Sequence, residues 1–309
     1  MLLRAKGPVF GELVEVKFSE LLELSYRANQ PLHEVILIQQ MLEDGSDPFE
    51  TRAKVRFLLH TMLEIVESNY GKRQRALVGL CGNNARLLSK HEPKFVGEFM
   101  HTAMVAALSV SEANASMKRI VACPTAGSCG VMHGVVYALS KVTHIEEERL
   151  IEGLIVAGAI GDVVARVASV SGAKSGCQAE IGTAAAMASG MMVYALTRDG
   201  EKSSHAAAIC LKSLMGLVCD PVGGFVEVPC VKRNATAVAV AVSAAEMALS
   251  GIKSVIPFDE VVEAMAKVGR SLPEELRETG LGGIAATRTA QSLLRRFMNR
   301  GDMNGIVEQ

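Results

Sequence analysis

The chain has 309 residues, 49% of them hydrophobic, enough for one large domain or two small ones. A formal net charge of −1 and a pI near 6.7 leave no electrostatic grip for nucleic acid or anionic lipid, and 4% aromatics with no Trp offer no base-stacking surface. These figures point to a small-molecule partner.

The first residues, MLLRAKGPVFGELVEVKF, scatter charges where an export signal would be apolar, and they offer no small-residue cleavage site. In SDPFETRAKVRFLLHTMLEIVESNY, Asp47 is set to cap a helix, Pro48 suits its first turn, and Glu50 can reach back to complete a capping box. Val55, Leu58, Leu59, Met62 and Ile65 recur at helical spacing and predict one buried stripe. Residues up to about Tyr70 form a candidate N-terminal helical subdomain.

Next comes CPTAGSCGVMHGVVYALS, Cys123 to Ser140, where a loop of small residues feeds an apolar helix. Free backbone N–H groups and the positive dipole end suit an anionic group there, and an ordinary helix start capped by Thr125 or Ser128 fits equally. The Gly-Lys-Ser/Thr ending of a Walker loop is missing. SGCQAE follows at Ser175 to Glu180, and then the longest uncharged run, Ile181 to Thr197. Gly, Ala, Ser and Thr dilute that run below what a membrane span demands, which predicts a buried helix.

CDPVGGFVEVPC, Cys219 to Cys230, is the most unusual stretch. Gly176 before Cys177, Asp220 and Pro221 after Cys219, and Pro229 before Cys230 each put a cysteine at a loop or element end, where a thiolate can be aimed at iron or another soft metal. With no CxxC pair, the same pattern also fits three small, inert, buried thiols. Seven cysteines without an export signal suit free thiols or metal ligands in a reducing cytoplasm. Cys81, Cys129 and Cys210 read as core; Cys123, beside Pro124, is open. Lys232 and Arg233 read as solvated surface or as compensation for an anionic site, and Asn234 as a helix cap.

TAVAVAVSAAEMALSG alternates like a strand, but its length favours a helix. DEVVEAMAKV predicts a helix closed by Gly269, and Ser271, Pro273 and Glu274 then announce another at LRET. With no internal repeat, low-complexity tract or long linker, the expected fold is mainly α, a single helical domain over 1–309 whose loops present the cysteines.

PTAGSCG, VSGAKSGCQAEIGTA, LKSLMGLVCDPVGGFVEVPCVKRNA and IPFDEVVEAMAKVGRSLPEELRETGLGGIAAT together resemble the alpha chain of the iron–sulfur-dependent L-serine dehydratases, from about Asn114 to Thr289. The resemblance implies a [4Fe-4S] cluster on Cys177, Cys219 and Cys230, with an open iron acting as a Lewis acid rather than an electron carrier. It implies cleavage of L-serine to pyruvate and ammonia in the cytoplasm, and a separate beta chain in a hetero-oligomer. Thr125, Gly127 and Ser128 then hold the substrate carboxylate. His133 is a candidate base, set against a satisfied core histidine, and the base can instead belong to the partner chain. The last residues, GIVEQ, carry no cysteine for a fourth ligand.

The chain departs from the family pattern at GLCGNNA, at Met132, His133 and Gly134, and at Arg166 and Lys174. Serine, threonine and cysteine stay open as substrates, because a methyl or a sulfur changes pocket fit by only about 1–3 kcal/mol. Two rivals stand beside this reading. One is a pyridoxal-phosphate dehydratase with its Schiff base on Lys174. The other is a non-catalytic, cluster-bearing relative.

Overall fold

A computed structural model describes residues 17–299; the leading segment up to residue 16 and the GIVEQ tail lie outside them. Helices α1 (Phe18–Ala28), α2 (Leu32–Asp44) and α3 (Pro48–Asn69) open the chain. Asp47 Oδ1 caps α3 by accepting from the N–H groups of Phe49 at 2.6 Å and Glu50 at 3.3 Å, with Pro48 in the first turn as expected. No bond from the Glu50 carboxylate back to Asp47 forms, so the capping box is half made. The buried seam of α3 runs through Leu59, Met62, Ile65 and Val66. Leu58 departs from the predicted stripe: it lies at the edge of the seam and is 42% exposed.

Further along come α4 (Asn84–Ser89), α5 (Glu98–Ala115) and α6 (Cys129–Lys141). The α5 and α6 backbones lie close because α6 is glycine where they touch. A Cβ on Gly134 would stand 2.5 Å from the Ala103 carbonyl oxygen, and one on Gly130 would stand 2.5 Å from that of Ala107.

Helix α7 (Glu147–Val167) and the short α8 (Gly172–Ser175) lead to a π-helical turn at Gln178–Gly182, which runs directly into α9 (Thr183–Thr197). Every residue from Thr183 to Ala195 is buried, so the uncharged run is the central helix of the core. Gln178–Thr197 is long and apolar enough to cross a membrane, yet 89% of its 18-residue apolar window is buried inside the protein. Helix α10 (Gly200–Ser213) packs on one side of α9, and α11 (Cys230–Leu249) on another. The Ala/Val alternation is therefore helical, as its length argues. Phe18, Leu21, Leu59 and Met62 of the first three helices share one apolar cluster with Ile151, Ile160 and Met191.

Helices α12 (Phe258–Ser271) and α13 (Arg288–Asn299) complete the described residues. Two sequence expectations fail here. Gly269 does not close α12 but sits inside it, where a Cβ would come within 2.7 Å of Ser175 Cβ; the helix ends at extended Leu272, before Pro273. The predicted helix at LRET is only a 3₁₀ turn, Glu274–Leu276. The Leu276 carbonyl accepts from Cys219 N–H at 2.8 Å and Glu278 N–H donates to Cys219 O at 2.7 Å, so a parallel bridge claims the backbone groups a helix would need. Among the described residues that isolated bridge is the nearest approach to a sheet.

Candidate functional site

Cys177 follows Gly176, whose φ of +75° turns the chain out of α8 into the π-helical turn. Cys219 is held by the bridge to Arg277, and Cys230 is the first residue of α11, after the cis Val228–Pro229 peptide. Three separate elements thus bring three buried thiols to one place, and all the cysteines are free. The neighbouring Cys219 thiol and, against the cost of burial, the Arg233 guanidinium hold the Cys177 thiol below its ordinary range. The Cys177 thiol beside it, with burial, pushes Cys219 up. Burial pushes the Cys230 thiol up to about 12, and the neighbouring Cys177 charge adds to the rise.

Arg233 lies one turn into α11, so its guanidinium returns to the segment it follows. It donates to Val218 O and to Asp220 Oδ1, each at 2.8 Å. Asp220 is itself buried, and its other oxygen accepts from Ile284 N–H at 2.7 Å. Arg233 therefore compensates the thiol site, whereas its neighbour Lys232 is exposed.

A carboxylate that the sequence reading passed over stands among these groups. Glu180, three residues after Cys177, puts Oε2 3.9 Å from Cys219 Sγ and accepts from Thr125 Oγ1 on Oε1 at 2.7 Å. Burial raises its pKa, and the Glu278 charge raises it further. Ligand atoms of Glu180, Cys219 and Glu278 lie within 4.8 Å of one another, a spacing open to a metal ion.

The PTAGS loop packs against this carboxylate. A Cβ on Gly127 would stand 3.4 Å from Glu180 Oε1, so Gly127 leaves that oxygen open on the loop side. Ser128 is fully buried; its hydroxyl donates to Cys123 O at 3.1 Å and lies 3.1 Å from Thr125 Oγ1. Asn234 is no helix cap. Within α11 it donates to Gly127 O at 2.8 Å and Cys230 O at 3.0 Å and accepts from Val131 N–H at 3.2 Å, tying loop, ligand segment and α6 together.

His133 points elsewhere. Fully buried in α6, it donates Nδ1–H to Cys129 O at 2.8 Å, and Nε2 has no partner. Burial pushes its imidazole down to about 4. Among the described residues its hydrogen bonds reach neither the three site thiols nor Thr125. Cys129 and Cys210 are core as expected, while Cys81 and Cys123 are half-buried. Lys174 is exposed on α8, not enclosed as a Schiff-base lysine needs to be.

The fold and site define an all-helical protein with a buried, thiol-rich centre flanked by carboxylates and one guanidinium, suited to a soft metal. The chain belongs to the serine dehydratase alpha chain family, whose model matches residues 27–285. It is 46% identical over 207 residues to the L-serine dehydratase alpha chain of Peptoniphilus asaccharolyticus, covering 67% of this chain and 71% of that one. It is 40% identical to the probable L-serine dehydratase alpha chain of Bacillus subtilis, covering 90% of this chain and 93% of the relative. Against the L-serine dehydratase of Helicobacter pylori it is 32% identical over 87% of its length but covers only 60% of that longer protein.

Proposed function

We propose that this chain is the alpha subunit of an L-serine ammonia-lyase, which dehydrates L-serine to pyruvate and ammonia with a [4Fe-4S] cluster held by Cys177, Cys219 and Cys230. The observation that carries the reading is the convergence of three free thiols beside Arg233, in a chain of this family. The donor set fits such a cluster: three sulfurs on separate elements and a cation to offset the charge. When bound, the cluster supplies an open iron that polarises the substrate hydroxyl as a Lewis acid.

The chain's own residues supply the rest. The Cα proton of serine is weakly acidic, so a base must stand beside it. We assign that proton to Glu180 Oε2 rather than to His133, because Glu180 faces the thiol site while His133 is turned into the core. Thr125 Oγ1 fixes the Glu180 carboxylate, and Thr125 and Gly127 border the space where the substrate carboxylate binds. Ser128 holds the turn rather than the substrate, its hydroxyl being spent within the loop. Loss of hydroxide and the Cα proton leaves an enamine, which tautomerises and hydrolyses in water without further help.

In this reading the chain works in the cytoplasm with a separate beta chain. The test is anaerobic purification with that partner, iron and sulfide analysis, and an assay of pyruvate formation from serine. Cys177→Ser, Cys219→Ser and Cys230→Ser should each remove the cluster absorption and the activity, while Cys210→Ser keeps both. Two of the three site variants retaining cluster and turnover would refute the assignment. A pair that holds its cluster but dehydrates threonine faster than serine would redirect the substrate, and one that turns over no hydroxy or thiol amino acid would leave a non-catalytic relative.

A further inference from the structure

A surface cavity of about 660 Å³ lies beside the loop Arg73–Asn84, lined by Arg73, Gln74, Gly79, Cys81 and Asn83 among others. The cysteine site does not line it, yet the two are joined. The joint is Glu227, within the segment that runs from Cys219 to Cys230. Its side chain is 2% exposed, and its carboxylate accepts from the N–H groups of Val78 at 2.6 Å, Leu80 at 2.7 Å and Cys81 at 3.2 Å. Its backbone carbonyl accepts from Val231 N–H at 3.1 Å, next to Cys230. One residue therefore fixes the first turn of α11 and half of the cavity loop.

The other half of the loop is held independently. Glu112, buried on α5, accepts from Gly82 N–H and Asn84 N–H, both at 2.8 Å, from Asn84 Nδ2 at 2.7 Å and from Ala85 N–H at 3.3 Å. No ion pair forms at Glu227 among the described residues, so its buried charge is satisfied by loop donors. A buried carboxylate stripped of donors is costly. Loop and carboxylate therefore hold each other in place.

We propose that Glu227 is a positioning residue that ties Val78–Cys81 to the ligand segment, so that order in the cavity loop and presentation of Cys230 to metal reinforce one another. This rests on Cys230 being a ligand, as proposed above. Such coupling is reciprocal: whatever metal does for the loop, the loop does for metal affinity. Because the loop borders this cavity, a ligand lodged there would sense whether the thiol site is filled.

The experiment is amide hydrogen exchange on the full chain, metal-free and after anaerobic iron–sulfide loading, for wild type and Glu227→Gln. The amide replaces one acceptor oxygen by a donor facing backbone N–H groups, while keeping size and fold. In the metal-free protein, the variant should exchange Val78, Leu80 and Cys81 at least about tenfold faster, with Gly82 and Asn84 unchanged. Loading should slow those first three amides in wild type but not in the variant, and iron should dissociate about fivefold or more faster from the variant. Equal slowing of the loop in both proteins, or unchanged exchange in the metal-free variant, overturns the proposal while leaving the ligand assignment intact. A wild type that takes up no iron overturns the ligand assignment and the coupling with it.

Discussion

Two buried polar clusters can be compared, and they differ in one respect. Where α7 meets the end of α9, Glu152 of α7 is 3% exposed and accepts two bonds from Arg198, one of them at 2.7 Å, while Arg149 stands 3.9 Å away. His33 packs beside it, its backbone N–H donating to Tyr194 OH at 3.2 Å and its Nδ1 lying 2.9 Å from that hydroxyl. His33 Nε2 faces Glu152 at 3.6 Å. Burial works against the Glu152 charge, but the Arg198 bond and the His33 and Arg149 charges outweigh it, so the carboxyl sits below its ordinary range. The cluster of Cys177, Cys219, Cys230 and Glu180 is the opposite: burial wins at Glu180 and at Cys230 and pushes both up. A closed cluster is finished and holds helices together. An open one fits the metal and substrate roles proposed above.

The largest effect should separate these roles at Glu180. Glu180→Gln keeps a bond to Thr125 but cannot take a proton, so kcat of the reconstituted enzyme should fall about 10²–10⁴-fold. Thermal stability and iron content should stay near wild type. A fall of many degrees in melting temperature with kcat intact would make Glu180 a structural acid like Glu152, and the contrast would vanish.

What could be read from the sequence divides along the same line. Local signals were legible: the Asp47 cap, the buried helix after Glu180, and the helical nature of the Ala/Val run all follow from contacts a few residues apart. The three cysteines stood out because Gly and Pro flank them. Glu180 lay in plain view within SGCQAE but carried no local mark, since its partners Cys219 and Thr125 are 39 and 55 positions away. Glu227 reaches 149 positions back to Val78. Gly269 reads as a helix stop because close packing and a chain turn ask for the same residue, and only the fold brings Ser175 against it.

A second buried histidine sharpens the comparison. His33 has Tyr194 and Glu152, whereas His133 has one carbonyl on Nδ1 and nothing on Nε2. With its pKa lowered from 6.5 to about 4, folded His133 stays neutral while the unfolded chain takes up a proton. Stability is then full above about pH 6.5 and is lost as pH falls toward about 4, by about 3 kcal/mol in all. Denaturant unfolding between pH 7 and 4 should show this slope in wild type and a shallower one in His133→Met. Identical slopes would mean that the imidazole finds a proton acceptor in the folded state.

The smallest effect is expected at the closed cluster itself. Glu152→Gln leaves the guanidinium of Arg198 without its countercharge, but Arg198 is 49% exposed and water can solvate it. The loss should therefore be about 1–3 kcal/mol, below the range for a pair buried on both sides, and should reach the site only through the helices. Unfolding midpoints should drop while cluster content and kcat hold. His33 would also lose the carboxylate that opposes its burial, so its pKa should fall further in the variant, readable by proton titration of the imidazole signal. If Glu152→Gln instead reduced iron loading as sharply as a cysteine variant, the two clusters would be coupled through α9, and a finished cluster could not be separated from an open one by its hydrogen bonds alone.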